Sequence, residues 1–329
     1  MIILLTGATG FIGCKILNEL LKRKYKVRVI VRENSNIEKI KKLKVETFFG
    51  DITNKKSIDR AIRGSDYIIH SASLYSLWLP NKELIYKVNV DGTKNMLELA
   101  LKYKIKKFIY TSTVATISST KKNKFSNEYN FLKIKEIKFD YTKSKFLAEQ
   151  EVFKFNKLYK LPTIILNPTI VVGEGDSRPT PSGQLIINFL KGKIPAFFNG
   201  GGNFVDVNDV AIWHVEALTK GRSGERYILG NENLSLINFF EYLKKITNYK
   251  KNLVKLPTNI VLTYALLSEF YAKYISKKQP IFTSEGTKII SNSTYCNCYK
   301  TFHEFSLPKI NINKSLINAI NWFKINKYL

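Results

Sequence analysis

The chain has 329 residues, of which 44% are hydrophobic and 24% are charged, a composition typical of a soluble globular protein with a substantial core. Lys and Arg number 53 against 26 Asp and Glu, so the formal net charge is +27. Because the lysines are spread along the whole chain and no recognised nucleic-acid-binding motif accompanies them, we predict no nucleic-acid partner.

The three cysteines and three histidines are scattered without the spacing of metal ligands, so we predict no bound metal. So few cysteines are typical of proteins from a reducing cytoplasm. An apolar run begins at residue 1 or 2 and no basic segment precedes it, so we expect no signal peptide. The sequence therefore indicates a cytoplasmic protein.

The first thirteen residues predict a dinucleotide-binding turn. Residues 1–5 form an apolar run long enough for one buried strand, and Phe11 opens a helical pattern. Gly7, Gly10 and Gly13 lie between them at three-residue spacing. Such glycines let backbone N–H groups approach a pyrophosphate, and the following helix presents its positive N-terminal end to the anion.

Strands and helices alternate from this turn to residue 170. Further strands are predicted at residues 26–32, 45–50, 67–72, 106–113 and 162–169. Helices are predicted at residues 55–63, 84–103 and 141–159, the last with Asp140 as its N-cap. The lysine-rich residues 114–139 are predicted to be a loop with short elements. The alternation predicts an α/β fold, a doubly wound parallel sheet of the Rossmann type.

Two strand ends bear on the choice of cofactor. An acid after the second strand usually hydrogen-bonds the ribose 2′-OH of NAD, whereas an arginine there suits the 2′-phosphate of NADP. Arg32 followed by Glu33 therefore favours NADP(H) and leaves NAD as the alternative; a purely solvated role for Arg32 also stays open. Asp51, after the third strand, is placed either to accept from the adenine amino group or to form a turn or helix cap.

The helix predicted at residues 141–159 carries the strongest chemical signal. Tyr141 and Lys145 are four residues apart, so a phenol and an ammonium share one helix face. We expect the cation to lower the pKa of the phenol, which then exchanges a proton with a substrate oxygen. Thr113, at the end of the fifth strand, can offer a hydroxyl to the same oxygen.

The pattern changes after residue 170. Residues 173–183 are rich in Gly, Pro, Asp and Ser and predict a functional loop. We predict short strands near residues 197 and 226–230, and helices at 185–191, from an N-cap at Asn208 to 219, and at 236–247, 259–277 and 315–327. Residues 1–170 are thus predicted to form the dinucleotide-binding domain, with 204–230 returning to it, and 171–329 a smaller, mostly helical substrate-binding region.

The most apolar later stretch is 260–270, which is too short to span a bilayer and contains Glu269. We interpret it as a core helix. An amphipathic helix at a membrane surface, giving peripheral membrane contact, is the alternative.

Taken together, these motifs resemble the extended short-chain dehydrogenase/reductases, the NAD-dependent epimerase/dehydratase family, over essentially the full length. They occur in that family's order: Gly7-x-x-Gly10-x-x-Gly13, Gly50-Asp51, His70-Ser-Ala, Asn89-Val-Asp-Gly-Thr, Tyr110-Thr-Ser-Thr, Tyr141-x-x-x-Lys145 and Asn167-Pro168. Within the family, segments 75–78, 178–183 and 221–230 are similar to those of dihydroflavonol-reductase-like and hopanoid-associated sugar epimerase-like proteins.

The resemblance implies a role for each matching residue. The implied catalytic set is Thr113, Tyr141 and Lys145, with Thr113 where the family usually has Ser. The implied cofactor contacts are Gly7, Thr9, Gly10, Phe11, Ile12, Gly13, Arg32, Asp51, Ile52, Ala72, Tyr141, Lys145, Asn167 and Pro168. The implied substrate contacts are Ser73, Tyr75, Thr113 and Arg178.

The expected function is an NADP(H)-dependent oxidoreductase that transfers hydride between nicotinamide and a ketone, aldehyde or alcohol. The runner-up is a nucleotide-sugar epimerase or dehydratase, in which the hydride is transferred and then returned. A non-catalytic NADP-binding scaffold is the third hypothesis. The substrate is thus a small carbonyl compound, a polyol or a nucleotide sugar, and the resemblance also implies a homodimer.

Overall fold

A seven-stranded parallel sheet lies at the centre of the chain. The computed structural model describes residues 1–76, 81–119, 125–249, 252–277, 280 and 283–329. The strands are β1 Ile2–Thr6, β2 Lys26–Val31, β3 Glu46–Phe49, β4 Tyr67–His70, β5 Lys107–Thr111, β6 Thr163–Pro168, β7 Ile170–Val172, β8 Ala196–Phe197, β9 Gly201–Asp206, β10 Arg226–Leu229, β11 Glu232–Ser235 and β12 Val254–Lys255.

The helices cover both faces of the sheet and build the C-terminal region. They are α1 Phe11–Lys22, α2 Glu38–Lys41, α3 Lys55–Ile62, α4 Glu83–Tyr86, α5 Gly92–Lys102, α6 Asp140–Tyr159, α7 Pro181–Leu190, α8 Val207–Glu216, α9 Leu236–Thr247, α10 Thr258–Tyr271, α11 Ser284–Ser291, α12 Tyr299–Glu304 and α13 Ile312–Ile325. Short 3₁₀ turns occupy Val114–Thr116 and Ile134–Glu136, and π-helical turns occupy Lys87–Asp91 and Ala272–Ser276.

The strand order in the main sheet is β10-β6-β5-β4-β1-β2-β3, so the order reverses between β1 and β4. Ligands of doubly wound sheets bind in the crevice at the carboxyl ends of the strands at such a reversal. The glycine turn follows β1 and the segment from Ser71 follows β4. The predicted doubly wound α/β fold is therefore confirmed, and its switch point lies beside the predicted dinucleotide site.

Two apolar clusters hold the helices against the sheet. Ile3 and Leu5 of β1 pack in a cluster with α1 and α8, whereas Leu4 points to the other face and packs in a cluster with α3, α5 and α6. This alternation is the period of two expected along a strand, here apolar on both sides because helices cover both faces.

The C-terminal region has a core of its own, which includes the stacked rings of Phe189 and Phe240. Helices α7, α9 and α13 surround it, together with a small sheet of order β11-β9-β7 that the sequence did not predict. β10 instead joins the main sheet beside β6. The division into domains at residue 170 stays a prediction.

Two predicted helix caps are wrong. α6 begins at Asp140 itself, whose carboxylate accepts from Tyr86 and pairs with Lys82 instead of capping. α8 is capped by Asp206, which accepts from the backbone N–H of Asn208 at 2.7 Å, so Asn208 lies within the helix. Tertiary partners thus take up the Asp140 carboxylate at α6. At α8 the neighbouring Asp206 accepts the backbone N–H and caps the helix in place of Asn208.

The interpretation of residues 260–270 as a core helix is also wrong. Only Val261 and Ala265 of α10 are buried, and Leu267 is 65% exposed. The general hydrophobicity of the stretch therefore does not reflect burial in the core. None of the helices within the described residues is long and apolar enough to cross a membrane.

Two histidines are buried in the main domain and are uncharged. His214 of α8 accepts from the Thr111 hydroxyl at 2.9 Å and donates to the carbonyl oxygen of Val210 at 2.7 Å. Burial lowers the pKa of His214 to about 4 and that of His70 to about 3.

We expect His214 to make stability depend on pH. Because its pKa is lowered in the folded state, the unfolded chain binds the proton first as the pH falls from 6.5 towards about 4. Over that window the residue should reduce the free energy of unfolding by about 1.4 kcal/mol per pH unit. In urea titrations, His214→Gln should remove this contribution to the slope. The exposed His303→Gln is the matched control, and an unchanged slope in His214→Gln would contradict the assignment.

Candidate active site

The turn between β1 and α1 has the backbone geometry of an anion cradle. Gly7 has φ +77°, and a Cβ there would lie 2.7 Å from the backbone nitrogen of Ala72 after β4. A Cβ on Gly13 would overlap the carbonyl oxygen of Gly7. Gly10 caps α1 without a side chain, so the first amides of the helix face the crevice. These features fit the pyrophosphate of a dinucleotide, as predicted.

A chain of hydrogen bonds fixes the two strand ends beside this turn. The Thr6 hydroxyl accepts from the backbone N–H of Ala72 at 3.1 Å and donates to His70 Nδ1 at 2.7 Å. His70 Nε2 then donates to the Thr93 hydroxyl, which donates to the carbonyl oxygen of Asn89. Every donor in this chain therefore has an acceptor while His70 is uncharged, and Ala72 is held against the glycine turn.

The residues predicted to select the cofactor lie after β2 and β3. Arg32 and Glu33 are both exposed, and within the described residues Arg32 makes no ion pair. Asp51 accepts from the Thr53 backbone and hydroxyl, both at 2.8 Å, which is a turn rather than a helix cap. The neighbouring Ile52 is buried. Their parts in binding a cofactor stay predictions.

Tyr141 lies in the first turn of α6 and is 7% exposed. The Thr113 side chain lies near enough to its phenol to lower the pKa of Tyr141, and the centre of its ring lies 4.6 Å from that of the Tyr75 ring. Burial, followed by the nearby Tyr75, raises the pKa of Tyr141 well above its usual range. The expected lowering of this pKa by Lys145 is therefore not what the structure shows, and the phenol carries its proton at neutral pH.

Lys145, one helical turn further along α6, is buried beneath Tyr110. Its Nζ donates to the carbonyl oxygen of Thr111 at 2.8 Å and lies 4.4 Å from the centre of the Tyr110 ring. Burial lowers the pKa of Lys145 to about 7, and the charge of Glu149 opposes that shift. The ammonium is thus tied to the end of β5, immediately before Thr113.

A buried polar network supports Thr113, and the sequence analysis missed it. Glu149 accepts from the Thr116 hydroxyl and the Asn167 amide, both at 2.7 Å, and lies 3.5 Å from Arg226. The Asn167 amide also donates to the carbonyl oxygen of Thr113 at 3.0 Å. The amide nitrogen of Asn167 therefore holds the turn at Thr113, whereas its amide oxygen is buried without a partner among the described residues. Any contact of Asn167 or Pro168 with a cofactor stays a prediction.

The predicted substrate residues Ser73 and Tyr75 belong to a segment fixed by Asn89. The Asn89 amide oxygen accepts from the Ser73 hydroxyl and the Leu74 backbone, and its nitrogen donates to Ser144 of α6. Asn89 lies in the π-helical turn, a rare conformation that is frequent at functional sites. The adjoining residues 77–80, including Trp78 of the 75–78 motif, lie outside the described residues.

Arg178 is not brought to the catalytic group by any described contact. It is exposed on the loop before α7, whereas the neighbouring Asp176 is buried and accepts from Thr180. Burial raises the pKa of Asp176 to about 6. The role predicted for Arg178 stays open.

A buried carboxyl group, Glu285 of α11, binds Thr142, the residue after Tyr141. It accepts from the backbone N–H and the hydroxyl of Thr142, at 3.2 and 3.0 Å. Burial raises the pKa of Glu285 to about 7. Sequence reasoning gave no signal for this residue, because 143 positions separate it from Thr142.

Comparison with known proteins identifies the family. The sequence profile of the NAD dependent epimerase/dehydratase family matches residues 3–230. The chain belongs to this family. A putative dihydroflavonol 4-reductase of Synechocystis sp. is 33% identical over 328 residues, covering 98% of this chain and 95% of the relative. Sterol demethylase protein B of Methylococcus capsulatus is 26% identical over 325 residues, covering 98% of each chain.

A solved structure supports the same assignment. The crystal structure of gox2253 superposes with a TM-score of 0.88 at 33% identity, covering 100% of this chain and 99% of its own. The resemblance drawn from the motifs, to the epimerase/dehydratase family and its dihydroflavonol-reductase-like members, is therefore confirmed. Family members are NAD(P)-dependent enzymes, in agreement with the cradle at the glycine turn.

We predict that Glu149 and Arg226 depend on each other for stability. Both are nearly inaccessible to solvent, at 1% and 3%, so removing one partner leaves a buried charge. Arg226→Met should lower the free energy of unfolding by about 3 kcal/mol, and Glu149→Gln/Arg226→Met should recover part of that loss. A double-mutant cycle in urea measures the coupling. The more accessible pair Lys55 and Glu98 is the control, with Lys55→Met costing about 1 kcal/mol or less. Additive effects at Glu149 and Arg226 would contradict the prediction.

Proposed function

We propose that this protein is an NADPH-preferring reductase of a ketone or aldehyde, which also oxidises the corresponding alcohol. The observation that carries the proposal is the buried phenol of Tyr141, with the Thr113 side chain beside it. A neutral acid in a dry site is suited to protonating a carbonyl oxygen. The relative named as a dihydroflavonol 4-reductase supports this choice within the family.

The chain's own residues supply the proton and the orientation. Tyr141 donates its proton to the substrate oxygen, and Thr113 orients that oxygen through a second hydrogen bond. The nicotinamide cofactor, when bound, supplies the hydride for the carbonyl carbon. Lys145 holds the end of β5 through the carbonyl oxygen of Thr111. The proton that Tyr141 gives to the product is then replaced from solvent.

The pKa of Tyr141 supports the reductive direction at neutral pH. Reduction needs the phenol protonated at the start, and burial ensures this. Oxidation needs the phenolate instead, so its rate should rise as the pH becomes more alkaline.

Arg32 supports NADPH as the preferred reductant. It is exposed at the end of β2 and has no ion-pair partner within the described residues, so its guanidinium is available for a 2′-phosphate. Glu33 beside it supports NADH as the alternative. The substrate is proposed to lie between Ser73, Tyr75 and the loop that carries Arg178, where the Tyr75 ring offers an aromatic wall.

The nucleotide-sugar epimerase or dehydratase remains the second candidate because the family includes both chemistries. A reductase consumes one reduced nicotinamide per substrate molecule, whereas an epimerase leaves the cofactor unchanged after each turnover. Screening carbonyl compounds and nucleotide sugars while following the nicotinamide absorbance distinguishes the two. Product formed from a nucleotide sugar without net absorbance change would replace the reductase proposal.

We expect Tyr141→Phe to lower kcat for carbonyl reduction by about a hundredfold to ten-thousandfold, because the proton donor is lost while the ring remains. Cofactor binding, measured by fluorescence titration, should change little. Tyr159→Phe is the matched control, since Tyr159 lies on the same helix and is 49% exposed. Activity that survives in Tyr141→Phe would favour the non-catalytic scaffold or another acid.

We expect Arg32→Gln to raise the Kd of NADPH by about tenfold to a hundredfold and to leave the Kd of NADH unchanged. A hydrogen bond to a charged group contributes about 1.5–3 kcal/mol, which sets this range. Glu33→Gln is the matched variant, and it should leave the Kd of NADPH nearly unchanged. If Glu33→Gln weakens NADH and Arg32→Gln affects neither cofactor, the protein prefers NAD.

A further inference from the structure

Helix α10 and the π-helical turn after it form one continuous surface helix, Thr258–Tyr271 followed by Ala272–Ser276. It touches the body of the protein through a narrow stripe. Val261, Ala265 and Ala272 are the buried residues of that stripe, with at most 7% exposure. They recur at four- and seven-residue spacing, so they lie on one side of the helix.

The opposite side is apolar and exposed. Its large side chains are between 52% and 65% exposed, and we call them the apolar face: Ile260, Tyr264, Leu266, Leu267, Phe270, Tyr271, Tyr274 and Ile275. At 100° per residue they cover about half of the helix circumference. A contiguous exposed apolar patch of this kind marks an interaction site on a soluble protein.

The accessible charges on this helix itself are positive. Lys273 and Lys277 are exposed near the C-terminal end of the helix. The acid of this segment, Glu269, turns inward and accepts from the backbone N–H and hydroxyl of Ser284, at 2.8 and 3.0 Å. The helix therefore presents aliphatic, phenylalanine and tyrosine side chains flanked by ammonium groups.

This combination matches an anionic bilayer better than a second copy of the chain. Interfacial helices bury an apolar face at the headgroup boundary with lysines beside it, and tyrosine is enriched at that depth. If two such faces paired symmetrically, Lys273 and Lys277 would meet no acid of the facing helix, because Glu269 is engaged with Ser284. Two copies, each with a net charge of +27, also repel one another. Protein interface cores, moreover, are depleted of lysine.

We propose that the apolar face docks the protein on the surface of an anionic phospholipid bilayer. The aliphatic and aromatic side chains insert at the boundary between headgroups and acyl chains, and Lys273 and Lys277 contact the lipid phosphates. The protein is held reversibly on one leaflet, in line with the peripheral alternative that the sequence left open for residues 260–270.

The docking face is connected to the catalytic helix. Glu269 of α10 binds Ser284 at the start of α11, and the next residue, Glu285, binds Thr142 beside Tyr141. The helix that docks on the bilayer is therefore linked through two hydrogen-bonded contacts to the helix that carries Tyr141.

Flotation with lipid vesicles tests the docking without substrate or cofactor. The purified full chain should float with phosphatidylcholine vesicles that contain about 30% phosphatidylserine, and far less with phosphatidylcholine alone. Leu267→Glu/Phe270→Glu and, separately, Lys273→Glu/Lys277→Glu should each lower the bound fraction at least tenfold. Ile325→Glu is the matched control, because Ile325 is 80% exposed on α13 and should leave binding unchanged.

Further measurements distinguish docking on a bilayer from dimerisation through the apolar face. All variants alter exposed side chains, so circular dichroism melting should match the wild type. If the wild type does not float, or if Leu267→Glu/Phe270→Glu only converts a dimer to a monomer in light scattering, the docking proposal is overturned. Reduction of a water-soluble carbonyl compound by Leu267→Glu/Phe270→Glu should equal that of the wild type. Absence of that activity in both proteins would count against the proposed function and leave the docking result standing.

Discussion

The desolvation of polar side chains on helix α6 is the constraint on which the site depends. Tyr141, Lys145 and Glu149 follow one another at four-residue spacing, and all three are buried in the fold. A buried polar group without a partner costs more than a hydrogen bond returns, so each must be satisfied by another element. Their partners include the end of β5, the 3₁₀ turn after it, β6 and β10.

The same constraint applies to the buried polar residues between Tyr141 and Lys145. Thr142 and Ser144 lie in this interval and hydrogen-bond to other neighbours. Thr142 binds Glu285 of α11, and Ser144 binds Asn89 in the π-helical turn. One helix therefore joins the cofactor half of the fold to the C-terminal region through hydrogen bonds, independently of the apolar clusters.

The features predictable from sequence were those with a local cause. The glycine turn, the alternating strands and the Tyr141–Lys145 spacing each follow from short-range geometry, and their elements appear within a few residues of the predicted ends. Strand β9 was missed because its start, Gly201 and Gly202, has no apolar alternation; a Cβ on Gly202 would lie 2.7 Å from Ile170 of β7. The exposure of α10 was missed because hydrophobic residues predict burial only on average.

The residues that support the site also differ in whether a local sequence pattern could predict them. Glu149 could have been found, since it repeats the four-residue spacing after Lys145 on a helix already assigned to catalysis. The partners of Glu149 could not have been found in the same way. Thr116 and Arg226 are 110 residues apart in the sequence, and they come together only when β10 pairs with β6. Pairings of this length depend on strand order, which a single sequence does not determine.

Burial acts in opposite directions on the two ionisable groups of the catalytic helix, and this has a consequence for the proton. It raises the pKa of Tyr141 and lowers that of Lys145 to about 7, so it favours the uncharged form of both. The charge of Glu149 counteracts the effect on Lys145, which keeps part of the lysine protonated at neutral pH. The network around Glu149 therefore does more than hold Thr113 in place, because the charge of Glu149 also favours the protonated form of Lys145.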